Sequence, residues 1–455
     1  MATKMLEQCE VAPSSGAVNE QLLPLVHFDM LWLPRHLLQN LIFYEFPCSK
    51  SHFLETIVPN LKKSLSLALK HFPPLAGNII FPLINSNKPV SHYKTGDSIS
   101  VTIMESISDF IHLTGNHQRD ADEFHHLVPQ LPPSTYSSEF IKIPVAAIHV
   151  TLFPNQGISI GFTTHHAIGD GSTLVHFLNA WASINKFNGD AHLLALGDKF
   201  SPFYDRNVVE DANGLDARRW DLMKNYRPTV SSIISLPTYK VRATFIMSEA
   251  DIQKLKSYVI KSLTMADHYK VSSFAAVCAY IWTCFARSAG EVLGDDEAEY
   301  FSCPVDCRRR LNPPLPDTYF GNCLAVAIAE STHGILKGTE GFLAAVEAIV
   351  KAIDKTVNDE KGILDGSDRR LSQLTKMIGK RVVGVAGSTR LDSYGADYGW
   401  GRVKKHEVVS IDNDVSISLG KTRDESQASL EIGLSMTKVK MDAFAAAFYQ
   451  GLTLT

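Results

Sequence analysis

Apolar residues recur along this chain at two spacings, and the two spacings predict an α/β protein. Residues 158–162 alternate apolar with small or polar side chains, which is typical of a strand with one buried face. Shortly after them, apolar residues recur at helical spacing: Leu174, Phe177, Leu178, Trp181 and Ile184. Residues 164–171 therefore form a strand-to-helix corner. Such a corner can hold a reactive side chain between two rigid elements while the turn exposes it.

The same two spacings predict elements on both sides of this corner. In the first half we expect strands at 22–32, 41–44, 98–104 and 145–153, and a helix over 53–69. In the second half we expect strands at 239–247, 301–305, 325–329, 408–411, 415–419 and 430–434. Helices are predicted through 252–259, from residue 272 onward and over 342–353, and residues 443–448 lie in a last helix.

A shift in composition divides the chain near its middle. Residues 196–235 are rich in Asp, Arg and Asn and contain Pro202 and Pro228, which is typical of a segment between domains. We therefore expect an N-terminal domain over 1–195, a linker over 196–235 and a C-terminal domain over 236–455.

Composition excludes several classes of function. The chain has 455 residues, 45% hydrophobic and 20% charged, so a sizeable core is available. A net charge of −4 gives no general attraction for nucleic acid. There is no apolar run long enough to cross a membrane and no secretory signal pattern, so we expect a cytoplasmic protein, and a monomer.

The cysteine and histidine patterns argue against disulfides and metal. The seven cysteines are widely spaced with no C-x-x-C pair, which favours reduced, packed thiols. His125 and His126 have no third ligand at a useful spacing, and we expect them in a solvated loop.

The predicted corner carries a candidate general base. His166 and Asp170 stand four residues apart beside Gly169 and Gly171. A neutral imidazole can accept a proton from a hydroxyl or an amine near physiological pH. A buried structural histidine and a metal ligand remain alternatives, because this spacing also occurs by chance in long chains.

Three motifs in order along the chain carry a resemblance to a known family. His-x-x-x-Asp-Gly at 166–171 and Asp-Tyr-Gly-Trp-Gly at 397–401 resemble the two motifs of the BAHD family of plant acyl-CoA-dependent acyltransferases. Tyr-Phe-Gly-Asn-Cys at 319–323 resembles the branch that acylates anthocyanins and other flavonoid glycosides. Pro-Phe-Tyr-Asp-Arg at 202–206 resembles the segment before the crossover between the family's domains.

Two positions depart from the family pattern. Tyr398 stands where the family usually has Phe, and we expect its hydroxyl to be tolerated if it finds a partner or water. Gly-Ser-Thr-Arg at 387–390 departs from the Ser-Trp-x-Arg of many hydroxycinnamoyl-shikimate-type members. The second departure argues against a shikimate or quinate acceptor and favours the flavonoid-glycoside branch.

The resemblance implies a fold and a mechanism. It implies two chloramphenicol-acetyltransferase-like α/β domains, each a mixed sheet with flanking helices, joined by a long crossover loop. His166 would deprotonate a sugar hydroxyl that attacks the CoA thioester directly, with no metal and no permanently bound cofactor. Asp170 would hold the corner's shape and pair with an arginine from the other domain, and Arg308, Arg309 and Arg310 are all candidates.

The residues of the second motif indicate one role, and the resemblance implies another for a helix start. We expect a structural role for the five residues of the glycine-rich motif: Asp397, Tyr398, Gly399, Trp400 and Gly401. The glycines allow tight backbone geometry, and Asp397 can accept hydrogen bonds from turn N–H groups. Contacts to CoA are implied near the helix that begins after residue 272, at three residues: Lys256, Ser272 and Ser273. Plain N-capping by the two serines is the commoner alternative.

The expected substrates are an acyl-CoA and a flavonoid or other phenolic glycoside. Malonyl-CoA is favoured as the donor, and it would require a cation near the donor pocket for its free carboxylate. A hydroxycinnamoyl donor is the alternative within the same branch. A non-enzymatic binding protein and a hydrolytic thioesterase are the rival classes. The intact His166 and Asp170 argue against the first. The resemblance implies an active-site channel at the domain interface that is open at both ends, and this argues against the second.

Overall fold

The architecture is α/β, with three β-sheets and helices packed against them. The computed structural model describes residues 3–16, 20–34, 37–83, 87–209, 211, 214–225, 236–262, 271–290, 294–358, 363, 372–373, 376–413, 416–424 and 428–454. The strands of the first half are β1 Thr3–Val11, β2 Glu20–Pro24, β3 Leu38–Tyr44, β4 Asn78–Pro82, β5 Val90–Lys94, β6 Ile99–Ser106, β7 Arg119–Asp120, β8 Thr135–Tyr136, β9 Phe140–Pro144, β10 Ala146–Phe153 and β11 Gly157–Thr164. Those of the second half are β12 Val241–Met247, β13 Ala298–Asp306, β14 Leu324–Thr332, β15 Arg381–Ala386, β16 Lys405–Val408, β17 Ser416–Lys421 and β18 Leu430–Met436.

The α-helices alternate with these strands along the chain. They are α1 His27–Met30, α2 Lys50–His52, α3 Val58–His71, α4 Phe110–Thr114, α5 Asp122–His125, α6 Gly171–Lys186, α7 Ala191–Leu194, α8 Leu215–Met223, α9 Glu249–Ser262, α10 Ser273–Arg287, α11 His333–Lys337, α12 Gly341–Val357 and α13 Lys438–Leu454. Residues 50–71 are continuously helical through a π-helical turn, Phe53–Ile57, and Pro59 follows this turn, where it donates no backbone N–H. No helix in the described ranges is long and apolar enough to cross a membrane.

Two larger sheets each take one strand from the other half of the chain. The six-stranded sheet has the order β1-β6-β10-β11-β3-β16, so β16 of the second half lies beside β3. The seven-stranded sheet has the order β14-β13-β15-β17-β18-β12-β7, so β7 of the first half lies beside β12. A five-stranded antiparallel sheet has the order β2-β5-β4-β9-β8.

Each of the two larger sheets is covered by a helical apolar stripe. Helices α3 and α6 pack on the six-stranded sheet and contribute Leu65, Leu69, Phe177 and Trp181 to its core. Helices α10 and α12 pack on the seven-stranded sheet and contribute Val277, Ile281, Val346 and Ile349 to its core. Burial of such stripes is the main driving force that holds helices to sheets.

Most predicted elements are present, and four expectations were wrong. The stretch 408–411 is not a strand, since β16 ends at Val408 and a 3₁₀ turn spans Val409–Asp412. Strand β11 is buried on both faces rather than one, because it is a central strand with helix α6 on one side and a second apolar cluster around Phe124 on the other. The stretch 22–32 is not one strand, since β2 ends at Pro24 and α1 begins at His27. His125 is not in a solvated loop: it ends α5, is buried, and lies 3.0 Å from Asp412.

The predicted linker contains some regular structure. A 3₁₀ turn, Gly197–Lys199, and helix α8 fall within residues 196–235, whereas 226–235 lie outside the described residues. The placement of a domain boundary at 196–235 stays a prediction.

Candidate active site

A cavity of about 1340 Å³ lies between the two larger sheets. Its walls come from both halves of the chain, with Trp32 and Asn40 on the first side and strands β13, β15, β17 and β18 on the second. Sites for one drug-sized ligand usually have about 300–1,000 Å³. The volume therefore leaves room for two substrates at once, and His166 lies on the wall.

The predicted strand-to-helix corner is present and delivers His166 to the cavity. Strand β11 ends at Thr164, a 3₁₀ turn spans His166–Ile168, and helix α6 begins at Gly171. Asp170 is the N-cap of this helix, and its Oδ1 accepts hydrogen bonds from the N–H groups of Ser172 at 3.1 Å and Thr173 at 3.2 Å. The carboxylate thus satisfies backbone donors that every helix start leaves unpaired.

The two adjacent histidines have different environments. His165 is buried, and its Nδ1 accepts a hydrogen bond from the N–H of Ala167 at 3.2 Å, so the ring proton is on Nε2. Burial is the main cause that lowers the pKa of His165 to about 4, and the neighbouring His166 lowers it further. His165 is therefore a neutral structural residue, whereas His166 is partly exposed to the cavity.

The imidazole of His166 lies flat against the indole of Trp32. The two ring centroids are 3.8 Å apart and the planes are inclined by 4°. Such parallel contact restricts rotation of the imidazole about its side-chain bonds. Sequence reasoning missed this contact, because Trp32 is 134 positions away in the chain and lay in a segment predicted as strand.

Asp170 forms a buried, two-pronged ion pair with Arg308. Arg308 Nη1 donates to Asp170 Oδ2 at 2.8 Å and Nη2 donates to Oδ1 at 3.0 Å, and both side chains are 1% exposed. Burial alone would lower the pKa of Arg308, but the charge and hydrogen bonds of Asp170 raise it. Both carboxylate oxygens are therefore engaged in charge-assisted hydrogen bonds with Arg308.

The structure selects one arginine from the three candidates. Arg309 is 73% exposed and pairs with Asp317 on the surface. Arg310 donates to the carbonyl of Asp306. Only Arg308 among the three reaches the corner, because it begins the 3₁₀ turn that follows β13 and points inward.

The third motif joins the second half of the chain to this corner. The N–H of Cys323 donates to Asp170 Oδ2 at 3.1 Å, and the carbonyl of Gly321 accepts from Arg308 Nη2 at 3.0 Å. Burial raises the pKa of the Cys323 thiol, so the thiol stays protonated. Cys323 thus contributes its backbone to the site, and its thiol is free and buried, as the cysteine pattern predicts.

The glycine-rich motif near the C-terminus lies at the other end of α6. Asp397 Oδ1 accepts hydrogen bonds from Gly399 N–H at 2.8 Å and Gly401 N–H at 3.0 Å, and its Oδ2 pairs with Lys186 Nζ at 2.7 Å. Gly399 and Gly401 have φ values of 91° and 87°, a conformation that L side chains rarely adopt. With 16 residues at about 1.5 Å each, α6 separates this motif from Asp170 by about 24 Å.

Tyr398 is buried in an aromatic cluster. Its ring stacks on Trp400 with centroids 5.2 Å apart and meets the edge of Trp181 at 5.0 Å. Within the described part of the chain, its hydroxyl has no hydrogen-bond partner, and burial raises its pKa well above the usual value. Among the described residues, the partner on which its tolerance was expected to depend is therefore not found.

The predicted CoA contacts lie away from the cavity lining. Ser272 is the N-cap of α10 and accepts from Ala275 N–H at 3.1 Å, Ser273 begins that helix, and Lys256 lies on α9. None of the three lines the cavity, and residues 263–270 beside them lie outside the described residues. Their contact with CoA stays a prediction. No group of three His, Cys, Asp or Glu side chains within the described ranges has the arrangement of a metal site.

Similarity to known proteins extends over nearly the whole chain. A family model described as the Transferase family matches residues 2–450. Phenolic glucoside malonyltransferase 1 of Nicotiana tabacum is 47% identical over 99% of both chains. The malonyl-coenzyme:anthocyanin 5-O-glucoside-6'''-O-malonyltransferase of Salvia splendens is 41% identical over 98% of this chain and 95% of that one.

Solved structures share the fold at much lower identity. Vinorine synthase superposes with a TM-score of 0.68 at 20% identity, covering 97% of this chain and 96% of that one. TRI101 of F. sporotrichioides, complexed with Coenzyme A and T-2, superposes with a TM-score of 0.64 at 15% identity, covering 92% and 96%. Since the family model and relatives of 41–47% identity cover nearly the entire chain, and the three motifs meet around one helix, the chain belongs to the Transferase family, the BAHD acyltransferases.

Proposed function

We propose that this chain moves a malonyl group from malonyl-CoA to a sugar hydroxyl of a flavonoid or other phenolic glucoside. The relatives of 41–47% identity are named as malonyltransferases of phenolic and anthocyanin glucosides. A relative named as a coumaroyl-CoA:anthocyanidin 3-O-glucoside-6''-O-coumaroyltransferase is 34% identical over 98% of this chain. This order supports malonyl over coumaroyl as the acyl group.

The different contacts of His166 and Asp170 carry this proposal. His166 lies on the cavity wall, whereas the oxygens of Asp170 accept hydrogen bonds from Arg308 and from backbone N–H groups. We therefore assign the general-base step to His166 and not to Asp170, whose oxygens are already engaged. Asp170 holds the corner in shape.

The reaction needs no covalent enzyme intermediate. His166 removes the proton of the sugar hydroxyl while the oxygen attacks the thioester carbonyl of malonyl-CoA. The tetrahedral intermediate then expels the CoA thiolate, which takes the proton back from the imidazolium. The products are the malonyl ester and CoA thiol, and His166 is neutral again.

Arg390 is our candidate for the free carboxylate of the malonyl group. It lines the cavity, and its neighbour Leu391 lies so close to Gly171 that a Cβ there would be 2.8 Å from Leu391 Cδ1. This chain segment therefore approaches the start of α6. Replacement by glutamine should raise KM for malonyl-CoA and leave KM for acetyl-CoA, which has no second carboxylate, unchanged.

The remaining expectations are part of the same proposal. Lys256, Ser272 and Ser273 are proposed to contact the phosphates of CoA, and a cytoplasmic monomer is expected from the sequence.

A thiol-release assay tests the function. Malonyl-CoA and p-coumaroyl-CoA are supplied in parallel, each with and without a flavonoid glucoside. Release from malonyl-CoA only when the glucoside is present is the expected result. Thiol release without an acceptor would identify a thioesterase. Glucoside-dependent release from p-coumaroyl-CoA but not from malonyl-CoA would identify a hydroxycinnamoyltransferase.

A further inference from the structure

Asn322 connects the backbone of His166 to a buried carboxylate. Its side-chain Nδ2 lies 2.9 Å from the carbonyl oxygen of His166 and 3.1 Å from Oδ1 of Asp29. Its backbone N–H also donates to Asp29 Oδ1, at 2.9 Å. Asn322 and Asp29 are both fully buried, so these hydrogen bonds are formed without competition from water.

Asp29 is in turn held by groups from two other segments. Its Oδ2 accepts from the N–H of Val26 at 3.2 Å and lies 3.5 Å from Nη1 of Arg206. Arg206 belongs to the Pro-Phe-Tyr-Asp-Arg segment and donates to the hydroxyl of Tyr319, in the same motif as Asn322. Burial raises the pKa of Asp29, against the opposing effects of Arg206 and Asn322.

The same short segment also controls the imidazole ring. The N–H of Trp32 donates to the carbonyl of Asp29 at 3.0 Å, and the indole of Trp32 stacks on His166. His166 is therefore held at its carbonyl through Asn322 and at its ring through Trp32. The first contact involves the Asp29 carboxylate, and the second involves only the Asp29 backbone carbonyl.

We propose that Asn322, anchored by Asp29, is a positioning residue that fixes the backbone of His166 so that its imidazole points at the acceptor hydroxyl. The inference rests on the proposed role of His166 as general base. Displacement of a catalytic group by about 1 Å can cost about 100-fold in rate. Loss of the Asn322 hydrogen bond should therefore lower kcat more than it alters substrate binding.

The test compares Asn322→Leu with Thr173→Val, a matched variant at the same interface. Thr173 Oγ1 accepts from Gly321 N–H and donates to Gly321 carbonyl, both at 3.1 Å, so its loss breaks buried bonds to the same motif without touching His166. Melting temperature, kcat and both KM values are measured for each with the acyl-CoA that the wild-type enzyme turns over. Asn322→Ser, whose shorter side chain does not reach the His166 carbonyl, replaces Asn322→Leu if the leucine variant does not fold.

The expected result is a difference between variants of similar stability. Asn322→Leu or Asn322→Ser should lower kcat about 10–100-fold with both KM values within about threefold, while Thr173→Val keeps kcat within about threefold. Asp29→Asn, which retains an oxygen for Asn322, should keep most of the kcat that Asp29→Leu loses.

Two outcomes would overturn the inference. Equal kcat losses in the Asn322 and Thr173 variants would mean that Asn322 acts through stability alone, and a normal kcat in the Asn322 variant would mean that it does not act on His166. In both cases the wild-type enzyme is active and the proposed function stands. A wild-type enzyme with no turnover of any acyl-CoA would overturn the proposed function and this inference together.

Discussion

The two ends of helix α6 carry the same kind of ion pair in opposite environments. At the first end, Asp170 accepts backbone N–H groups and pairs with Arg308, and both partners are 1% exposed. At the second end, Asp397 accepts backbone N–H groups and pairs with Lys186, and these side chains are 26% and 43% exposed. The chemistry is similar, and burial differs.

Burial decides what each pair contributes. A buried ion pair costs desolvation, and removing one partner leaves an uncompensated charge in a region that water does not reach. An exposed pair is screened by water and salt and contributes little. The first end, four residues from His166, should therefore be sensitive in both stability and activity, and the second end should be tolerant.

The largest effect should come from His166, the proposed base. His166→Ala should lower kcat about 10²–10⁴-fold, because proton removal from the acceptor is lost. The melting temperature should change little, since His166 is partly exposed to the cavity. Steady-state kinetics and thermal melting check this. A variant with near-normal turnover would contradict the proposed mechanism.

Next in size is the buried ion pair. Asp170→Ala should lower the free energy of unfolding by about 3–5 kcal/mol, because Arg308 is left buried and unpaired, and activity should fall with it. The double variant Asp170→Ala, Arg308→Met should recover part of that loss. Denaturant unfolding of the single and double variants measures the difference. Lost turnover with an unchanged unfolding free energy would instead assign Asp170 to the chemistry.

At the tolerant end, the unpartnered hydroxyl of Tyr398 should be removable. Tyr398→Phe should raise the free energy of unfolding by about 1–2 kcal/mol, since a buried polar group without a protein partner is removed and the aromatic contacts are kept. Activity should not change. Destabilisation by this variant would show that the hydroxyl is hydrogen-bonded.

The smallest effect should come from the exposed pair. Lys186→Met should cost about 0–1 kcal/mol of unfolding free energy, and the cost should shrink as salt is raised, because both partners contact solvent. Unfolding at low and high ionic strength checks this. A salt-independent loss as large as that of Asp170→Ala would remove the distinction between the two ends.

The sequence carried the local part of this arrangement. A change of apolar spacing predicted the β11–α6 corner, and short motifs predicted His166, Asp170 and Asp397. Each of these predictions depends only on a few residues that are close together in the sequence. The structural role of the glycine-rich motif was predicted for the same reason, because its hydrogen bonds run from Asp397 to Gly399 and Gly401.

Only the tertiary structure decided the partners. Nothing in three consecutive arginines tells which one reaches Asp170, because that depends on how the turn after β13 faces a helix 138 positions away. The Trp32 stack joins residues 134 positions apart, and the Asp29–Asn322 link joins the two halves of the chain. The exchange of β7 and β16 depends on sheet register. Apolar periodicity specifies which face of an element is buried, and packing alone specifies what lies against that face.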